Sequence, residues 1–274
     1  LSGTEHVAPF ACYHCPYGYP DLNGEAQLEI CQTTCASFVR YVLEKEGDVA
    51  AVIAEPARAV PYIPPPGYWQ MVRQACNDHG ALLIFDEIPT GLGKTGKMFA
   101  CEHDDVVPDI LVLGKALGGG ILPIAAVLAK SELDVAGEFA FGHYTHEKNP
   151  VTAKAALTTI EIIEQEGLVE NAAELGKYML EQLNLLKAKH SVIGDVRGRG
   201  LLVGVELVLN QEEKTPANDL AEDVLYRCLS KGLSFKLTMG NVMTLTPPLI
   251  IKKAQIDLSL EIIDQSLSEA EQAL

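Results

Sequence analysis

The chain of 274 residues is poor in basic residues and has no long apolar run. Lysine and arginine number 21 against 37 aspartates and glutamates, so the formal net charge at pH 7 is −16. This charge argues against nucleic acid and anionic membranes as the main partners. No apolar stretch approaches the roughly 18 residues that a membrane-spanning helix needs. We therefore expect neither a nucleic-acid-binding protein nor a membrane protein.

The start of the chain and its cysteines bear on where the protein works. Residues 1–10 contain no basic segment followed by an apolar one, which is the pattern of a secretory signal. Seven cysteines, an odd number, fit reduced thiols better than a disulfide framework. These features favour a cytoplasmic location. Because the first residue is Leu1 and not methionine, we expect a fragment or a processed product.

Four of the seven cysteines are spaced like the ligands of a zinc ribbon. Cys12 and Cys15 form one pair, and Cys31 and Cys35 form the second. The second pair, however, lies in a stretch at about 25–46 that has the apolar spacing of one amphipathic helix. Buried free cysteines are also common. A zinc-binding, non-catalytic chain remains an alternative, while no metal is expected in a catalytic site.

In the first half of the chain, short apolar runs alternate with a helical pattern. The runs predict strands, and a helix is predicted at 67–79 with Gly80 as its stop. The predicted strands lie at 49–54, 81–86, 110–113 and 123–129. A strand–helix–strand unit of this kind predicts a mostly parallel sheet with flanking helices, the α/β class.

After Asn149 the pattern changes to long amphipathic helices followed by short strands. The helices are predicted at 152–165, 169–189, 219–231 and 254–274, and the strands at 196–208, 234–239 and 242–245. This pattern predicts a smaller α+β domain over 166–274, following a large α/β domain over 1–165.

The stretch from Ala81 to Gly120 carries the most chemical information. Asp86 ends one predicted strand, Lys115 follows the next one, and Glu55 follows the strand before them. Functional groups in parallel sheets gather at the carboxyl ends of the strands. Taken alone, Asp86 is compatible with a helix cap and Lys115 with a surface lysine. As a pair, they predict an acid and an amine at one edge of a sheet, with little room for solvent around the amine.

The segment PTGLGKT at 89–95 resembles a nucleoside-triphosphate loop. Such a loop must follow its own strand, whereas the acidic magnesium-binding strand must be a different one. Here one strand would have to serve both roles. In the frame from Gly91 to Lys97, the residue after the lysine is Met98, which offers no hydroxyl for magnesium. We therefore interpret this segment as a connector.

A lysine amine beside a fixed carboxylate suits pyridoxal 5'-phosphate. This cofactor needs a lysine for its Schiff base and an acid that keeps its ring nitrogen protonated. The glycines at 118–120 would let the backbone approach it without Cβ clashes.

The chain resembles the class III (omega) family of pyridoxal-phosphate-dependent aminotransferases, of fold type I. The resemblance rests on motifs in the family's order along nearly the whole chain: AEP at 54–56, LLIFDEIPTGLGKTGKMFACE at 82–102, PDILVLGKALGGGILPIAAV at 108–127, THEKNP at 145–150 and IGDVRGRGLLVGVEL at 193–207. It implies a PLP-binding large domain over 1–165, whose N-terminal part is missing here, and a small domain over 166–274. Family members carry that further N-terminal part.

The resemblance also implies roles for four residues. Lys115 corresponds to the Schiff-base lysine and proton shuttle, and Asp86 to the acid that pairs with the pyridine nitrogen. Thr145 corresponds to the threonine that reaches the cofactor phosphate of the neighbouring subunit, which implies a homodimer. Glu55 corresponds to the glutamate that orients the site near Asp86. Read from its own surroundings, Thr145 also fits a polar turn before a helix.

Three departures from the family pattern concern the substrate. Pro89 stands where many members have a glutamine, and the segment 57–66 lacks the glutamate that pairs with a carboxylate-binding arginine. Thr244 stands where that arginine usually lies. A diamine, an amino alcohol or a phospho- or phosphono-amine would therefore fit better than a substrate held by its carboxylate.

The predicted function is a PLP-dependent aminotransferase that moves an amino group from an amine to an oxo-acid through Lys115. One alternative is a lyase of the same family acting on a phospho- or phosphono-amine. An alternative of another class is an inactive or zinc-binding fragment.

Overall fold

The computed structural model of the chain describes residues 3–21, 25–139, 142, 145 and 147–273. Two compact units make up the chain. The first comprises Leu1–Ala57, Pro64–Leu92 and Phe99–Glu166, and the second comprises Arg58–Ile63, Gly93–Met98 and Gly167–Leu274. Within the described residues, no helix is long and apolar enough to cross a membrane.

The first unit is built on a four-stranded sheet with the order β1-β2-β3-β4. Its strands are β1 Ala51–Ala54, β2 Leu82–Asp86, β3 Ile110–Leu113 and β4 Ala126–Ala129. The first three strands are parallel, and β4 runs antiparallel to β3. The prediction of a mostly parallel sheet is confirmed.

Four α-helices belong to the first unit: α1 Glu25–Cys31, α2 Thr34–Glu46, α3 Tyr68–His79 and α4 Pro150–Gln165. The single helix expected at about 25–46 was wrong, because the chain breaks between α1 and α2. Gln32 and Thr33 both have left-handed backbones, with φ of 46° and 53°. A left-handed residue cannot continue a right-handed helix, so the break divides the segment.

Helix α3 holds β2 in place through aromatic packing. Its Trp69 donates a hydrogen bond from Nε1 to the carbonyl oxygen of Pro56 at 2.8 Å. The Trp69 ring lies edge-on to Phe85, with the centroids 4.7 Å apart. Gly80 ends the helix with φ of 67°, as expected. Because Phe85 directly precedes Asp86, this packing positions the end of β2.

The second unit contains an antiparallel sheet and three long helices around one apolar core. The helices are α5 Leu168–Lys189, α6 Asn218–Ser230 and α7 Lys253–Glu271. The strands are β5 Ile193–Arg199, β6 Leu202–Asn210, β7 Thr215–Pro216, β8 Lys236–Thr238 and β9 Val242–Leu245. The sheet order is β5-β6-β9-β8, with β7 paired to β6. These elements form an α+β arrangement.

One strand expected at 196–208 is instead a hairpin of β5 and β6. Gly200 turns the chain with φ of 53°. A Cβ atom on Gly200 would lie 2.3 Å from the carbonyl carbon of Thr95, and one on Gly176 of α5 would lie 2.2 Å from the Gly200 backbone. The turn is therefore packed against two other segments, which an alternation pattern in the sequence does not reveal.

Candidate active site

The carboxyl ends of the parallel strands bring three of the predicted site residues to one edge of the sheet. Asp86 is the last residue of β2 and pairs with Val112 of β3. Lys115 follows the end of β3 by two positions, at the start of a 3-10 helix. Glu55 directly follows β1, whose Ala54 pairs with Phe85. An acid and an amine thus share this edge.

Asp86 is half-buried, and one of its two carboxylate oxygens is engaged. Oδ1 accepts a hydrogen bond from the Ile88 N–H at 2.9 Å. Among the described residues, no donor is recorded for Oδ2. One hydrogen bond therefore fixes the orientation of the carboxylate, while its second oxygen is left for a ligand.

The carboxylate of Glu87, next to Asp86, is almost fully buried. Oε2 accepts hydrogen bonds from the Thr90 hydroxyl at 3.0 Å and the Ala100 N–H at 2.8 Å, and Oε1 accepts one from the Cys101 N–H at 2.8 Å. Burial raises the pKa of Glu87, and these donors oppose the rise. Glu87 therefore joins the turn after β2 to the segment at 100–101. Sequence reasoning missed it, although an acid at the end of an apolar strand was a signal.

Lys115 has a left-handed backbone with φ of 44°, which is uncommon for a residue with a side chain. Its side chain is exposed, so the expectation of little solvent around it was wrong. The backbone on both sides is closely packed. A Cβ on Gly114 would lie 3.5 Å from the Ile88 side chain, and one on Gly118 would lie 3.3 Å from Ile124. The strain at Lys115 is thus held by a packed frame, as is common at functional sites.

Thr145 is exposed in the turn before α4. Helix α4 begins at Pro150, and its N-cap Asn149 accepts the Val151 N–H through Oδ1 at 2.9 Å. Asparagine at the N-cap followed by proline is a frequent helix start. Asn149 and Pro150 thus have a structural role, whereas the predicted phosphate contact of Thr145 stays a prediction. The orienting role of the half-buried Glu55 also stays a prediction.

The phosphate-loop reading of 89–98 finds no support. The segment forms turns and is followed by a five-residue 3-10 helix, Ala100–Asp104, rather than by the long helix that such a loop requires. Lys94 donates from Nζ to the carbonyl oxygen of Pro247 at 2.8 Å, and burial lowers the pKa of Lys94. This segment is a connector, as expected.

Thr244 and part of the 57–66 segment, two of the places that depart from the family pattern, lie in the second unit. Thr244 is buried in β9, and its hydroxyl lies 2.8 Å from that of Thr238. Arg197 donates to the carboxylates of Asp195 and Glu206 at 2.7 and 2.8 Å, and its guanidinium lies 4.2 Å from the ring centre of Tyr62. Arg197 therefore packs against the part of the 57–66 segment that contains Pro61 and Tyr62.

The structure also bears on the zinc alternative. All seven cysteines are among the described residues, and none is in a disulfide. Across the described part of the chain, no group of three or more Cys, His, Asp or Glu side chains is placed to hold a metal ion.

The comparisons with known proteins agree on one protein family. The model of the family described as "Aminotransferase class-III" matches residues 4–267. The (R)-1-hydroxy-2-aminoethylphosphonate ammonia-lyase of Vibrio splendidus is 41% identical over 98% of this chain and 58% of its own length. The adenosylmethionine-8-amino-7-oxononanoate aminotransferase of Methanocaldococcus jannaschii is 36% identical over 97% of this chain and 61% of its own length.

Solved structures agree with these relatives. An aminotransferase of Bacillus anthracis matches with a TM-score of 0.89 at 35% identity, over 98% of this chain and 62% of that one. The predicted fold class is confirmed. The chain spans about three fifths of the length of the proteins it matches.

Proposed function

The chain belongs to the class III aminotransferase family, whose members depend on pyridoxal phosphate, and we propose that it supplies the lysine and the ring-binding acid of such an enzyme. The supporting observation is the joint position of Asp86 and Lys115 at one edge of the parallel sheet. We assign cofactor binding to the residues of 1–165 and a small-domain role to 166–274.

The residues at this edge fit the cofactor. Oδ2 of Asp86 has no recorded donor among the described residues, so it can hold the protonated ring nitrogen. The Ile88 N–H keeps the carboxylate oriented, and Glu87 secures the turn that follows. When bound, pyridoxal phosphate supplies an electron-withdrawing ring that stabilises negative charge on the substrate carbon.

Lys115 has two tasks in this proposal. Its Nζ would be the point of covalent attachment to the cofactor, and the same amine would serve as the base that takes the proton from the substrate Cα. Its exposed side chain supports both tasks, since an amine that exchanges its partner must be reachable. The frame around Gly114 and Gly118 limits how far the backbone can move.

Two further residues complete the proposed site. Glu55 orients the groups near Asp86, and Thr145 donates its hydroxyl to the cofactor phosphate of a neighbouring subunit. The second role requires a homodimer. We propose that the enzyme is cytoplasmic, because the odd number of cysteines fits reduced thiols.

In this proposal the enzyme does not bind its amine substrate through a carboxylate of the substrate, as members of the family usually do. The 57–66 segment lacks the glutamate, and Thr244 stands in place of the arginine, that would do so. The buried Thr244 hydroxyl, already next to Thr238, carries no charge for a carboxylate. We therefore propose a diamine, an amino alcohol or a phosphono-amine as donor and an oxo-acid as acceptor.

A lyase is the second candidate. It is favoured by the 41% identity to a protein named as an ammonia-lyase of an aminophosphonate, together with the missing carboxylate partners. Such an enzyme would release ammonia or phosphate after the same removal of a proton by Lys115, and no oxo-acid would take part.

The dependence on an acceptor separates the two candidates. The purified protein is incubated with (R)-1-hydroxy-2-aminoethylphosphonate, a diamine or an amino alcohol, with and without pyruvate or 2-oxoglutarate. Amino-group transfer that requires the oxo-acid supports the aminotransferase. Release of ammonia at the same rate without the acceptor would replace it by the lyase.

The role of Lys115 is tested by reduction of the cofactor-loaded protein with borohydride, followed by peptide mapping. We expect the label on the peptide that contains Lys115, and a loss of activity of roughly 10³-fold or more in Lys115→Ala. The matched control is Lys97→Ala, which removes another exposed lysine and is expected to keep both label and activity. A label on a different lysine would contradict the assignment.

A further inference from the structure

Four cysteines of the first unit line one small cavity of about 20 Å³. Cys12 and Cys15 come from the loop at 3–21, whereas Cys31 and Cys35 stand on either side of the break between α1 and α2. The proposed cofactor chemistry uses none of these thiols. Their convergence in one place therefore calls for its own explanation.

The helix break and the loop are tied together at this cavity. The Thr34 hydroxyl donates to the carbonyl oxygen of Cys31 at 2.6 Å, and the hydroxyls of Tyr19 and Thr34 lie 3.0 Å apart. Gln32 and Thr33, both left-handed, lie between Cys31 and Cys35, which both line the cavity.

The environment of Cys35 indicates which thiols are its neighbours. Burial is the main reason that the pKa of the Cys35 thiol is raised to about 11; the nearby Cys12 and Cys31 add to this rise, and the Ala36 N–H opposes it. Cys31 is buried and lies on the same segment as Cys35, whereas Cys12 is half-buried on a separate loop. Of these two neighbours, Cys12 is therefore the one that a reagent in solution reaches.

We propose that this cavity is a thiol–disulfide site in which Cys12 and Cys35 form a reversible disulfide with a small-molecule disulfide, such as glutathione disulfide, as oxidant. The Cys12 thiolate attacks one sulfur of the oxidant, and the first glutathione leaves as a thiolate. Cys35 then loses its proton to solvent and attacks the Cys12 sulfur, and the second glutathione leaves. Two protein thiols are oxidised, and one glutathione disulfide is reduced to two thiols.

The chemistry of Cys35 determines how this site behaves. A thiol with a high pKa is rarely ionised, so the second attack is slow at neutral pH. The reduced form also gains no stabilisation from a Cys35 thiolate, so the disulfide resists reduction once it has formed. The site therefore responds to prolonged rather than brief oxidation.

A bond between Cys12 and Cys35 would act on the aromatic packing behind Asp86. Phe10, two residues before Cys12, lies edge-on to Tyr68 and Trp69 with ring centroids 5.0 and 5.9 Å away. Trp69 in turn packs on Phe85. The crosslink would fix the loop that carries Phe10 to α2, and so stabilise this stack.

The test compares the untreated protein with protein held in millimolar glutathione disulfide, using peptide mapping without reduction. We expect a Cys12–Cys35 linkage, reversal by dithiothreitol and a rise in Tm of roughly 5–10 °C. The rise is expected to disappear in Cys12→Ser and in Cys35→Ser. It is expected to persist in Cys15→Ser, the matched control, which removes a cavity thiol outside the pair.

Three results would overturn the proposal. The first is that all four thiols stay reduced under these conditions. The second is a linkage between other cysteines, such as Cys31 and Cys35. The third is tightly held zinc in the purified protein that is lost in both Cys12→Ser and Cys35→Ser, which would make the thiols metal ligands. Each variant is first checked by circular dichroism, and a variant that does not fold is replaced by the alanine substitution.

Discussion

At the scale of single residues, the buried carboxylate of Glu87 supports the acid beside it. In the proposed role, Asp86 needs a defined orientation to hold a ligand through Oδ2, and within the described part of the chain its hydrogen bond comes from the Ile88 N–H in the following turn. That turn is held by Glu87, which gathers donors from Thr90, Ala100 and Cys101. Glu87 is thus a positioning residue, and its contribution is measurable apart from activity.

Replacing Glu87 by glutamine is expected to lower the free energy of unfolding by about 1–3 kcal/mol, because one acceptor oxygen is lost and a buried donor is left unpaired. Urea unfolding measures this change. The control is Glu102→Gln, since the exposed Glu102 accepts the Phe99 N–H through one oxygen and the amide retains that bond. Equal stability of Glu87→Gln and the unaltered protein would show that the buried bonds are dispensable.

At the scale of elements, the position of helix α5 on the β5–β6 hairpin depends on two glycines. Gly176 in α5 faces Gly200 in the hairpin turn, and neither position has space for a Cβ atom. A motif that reads as a glycine-rich strand is therefore a close contact between a helix and a turn. This contact orders the second unit around its apolar core.

The substitution Gly176→Ala is expected to destabilise the protein by about 1–3 kcal/mol, because a methyl group cannot fit against the Gly200 backbone and overpacking outweighs the higher helix propensity of alanine. Thermal unfolding provides the measurement. Gly137→Ala serves as the control, since its Cβ would meet nothing within 4 Å and its φ is not in the left-handed region. A rise in Tm for Gly176→Ala would contradict this prediction, because it would show that α5 can move away from the hairpin turn at little cost.

At the scale of the whole molecule, the excess of acidic groups makes stability depend on how carboxylates are paired. Asp109 is buried and accepts hydrogen bonds from the Leu83 N–H, Arg73 and Lys130, each at 2.7 Å. Burial alone would raise the pKa of Asp109, but these donors lower it to about 2. The carboxylate joins α3, β2 and the end of β4.

This low pKa has a defined consequence for acid stability. Because the pKa of Asp109 is lower in the folded state than in the unfolded chain, its contribution is complete above about pH 4 and disappears as the pH falls towards 2. Asp109→Asn is expected to lower the free energy of unfolding by about 1–2 kcal/mol at neutral pH. Between pH 4 and 2, the stability of this variant is expected to fall less steeply than that of the unaltered protein. Urea unfolding across this pH range measures both effects. The control is Asp105→Asn, at an exposed position. If the unfolding free energy of Asp109→Asn falls between pH 4 and 2 as steeply as that of the unaltered protein, Asp109 is not the group responsible.

The sequence was sufficient to predict most strands of the first sheet and the residues that follow their carboxyl ends. The runs that became β2 and β3 are apolar and are followed by polar or glycine residues, so neighbours in the chain define where each strand ends. Gly80 ended α3 where expected for the same local reason. The site roles of Lys115, Asp86, Thr145 and Glu55 stay predictions, and so do the boundaries and roles of the two domains.

By itself, the sequence determined the family, the α/β class and the presence of an acid and a lysine after successive strands, because these follow from short segments and their order. Only the tertiary structure decided that Glu87 is buried, that Lys115 is strained and exposed, that Gly200 turns a hairpin, and that the chain breaks between Cys31 and Cys35. Each of these depends on contacts between residues far apart in the chain. Apolar periodicity and motif spacing carry no information about such contacts.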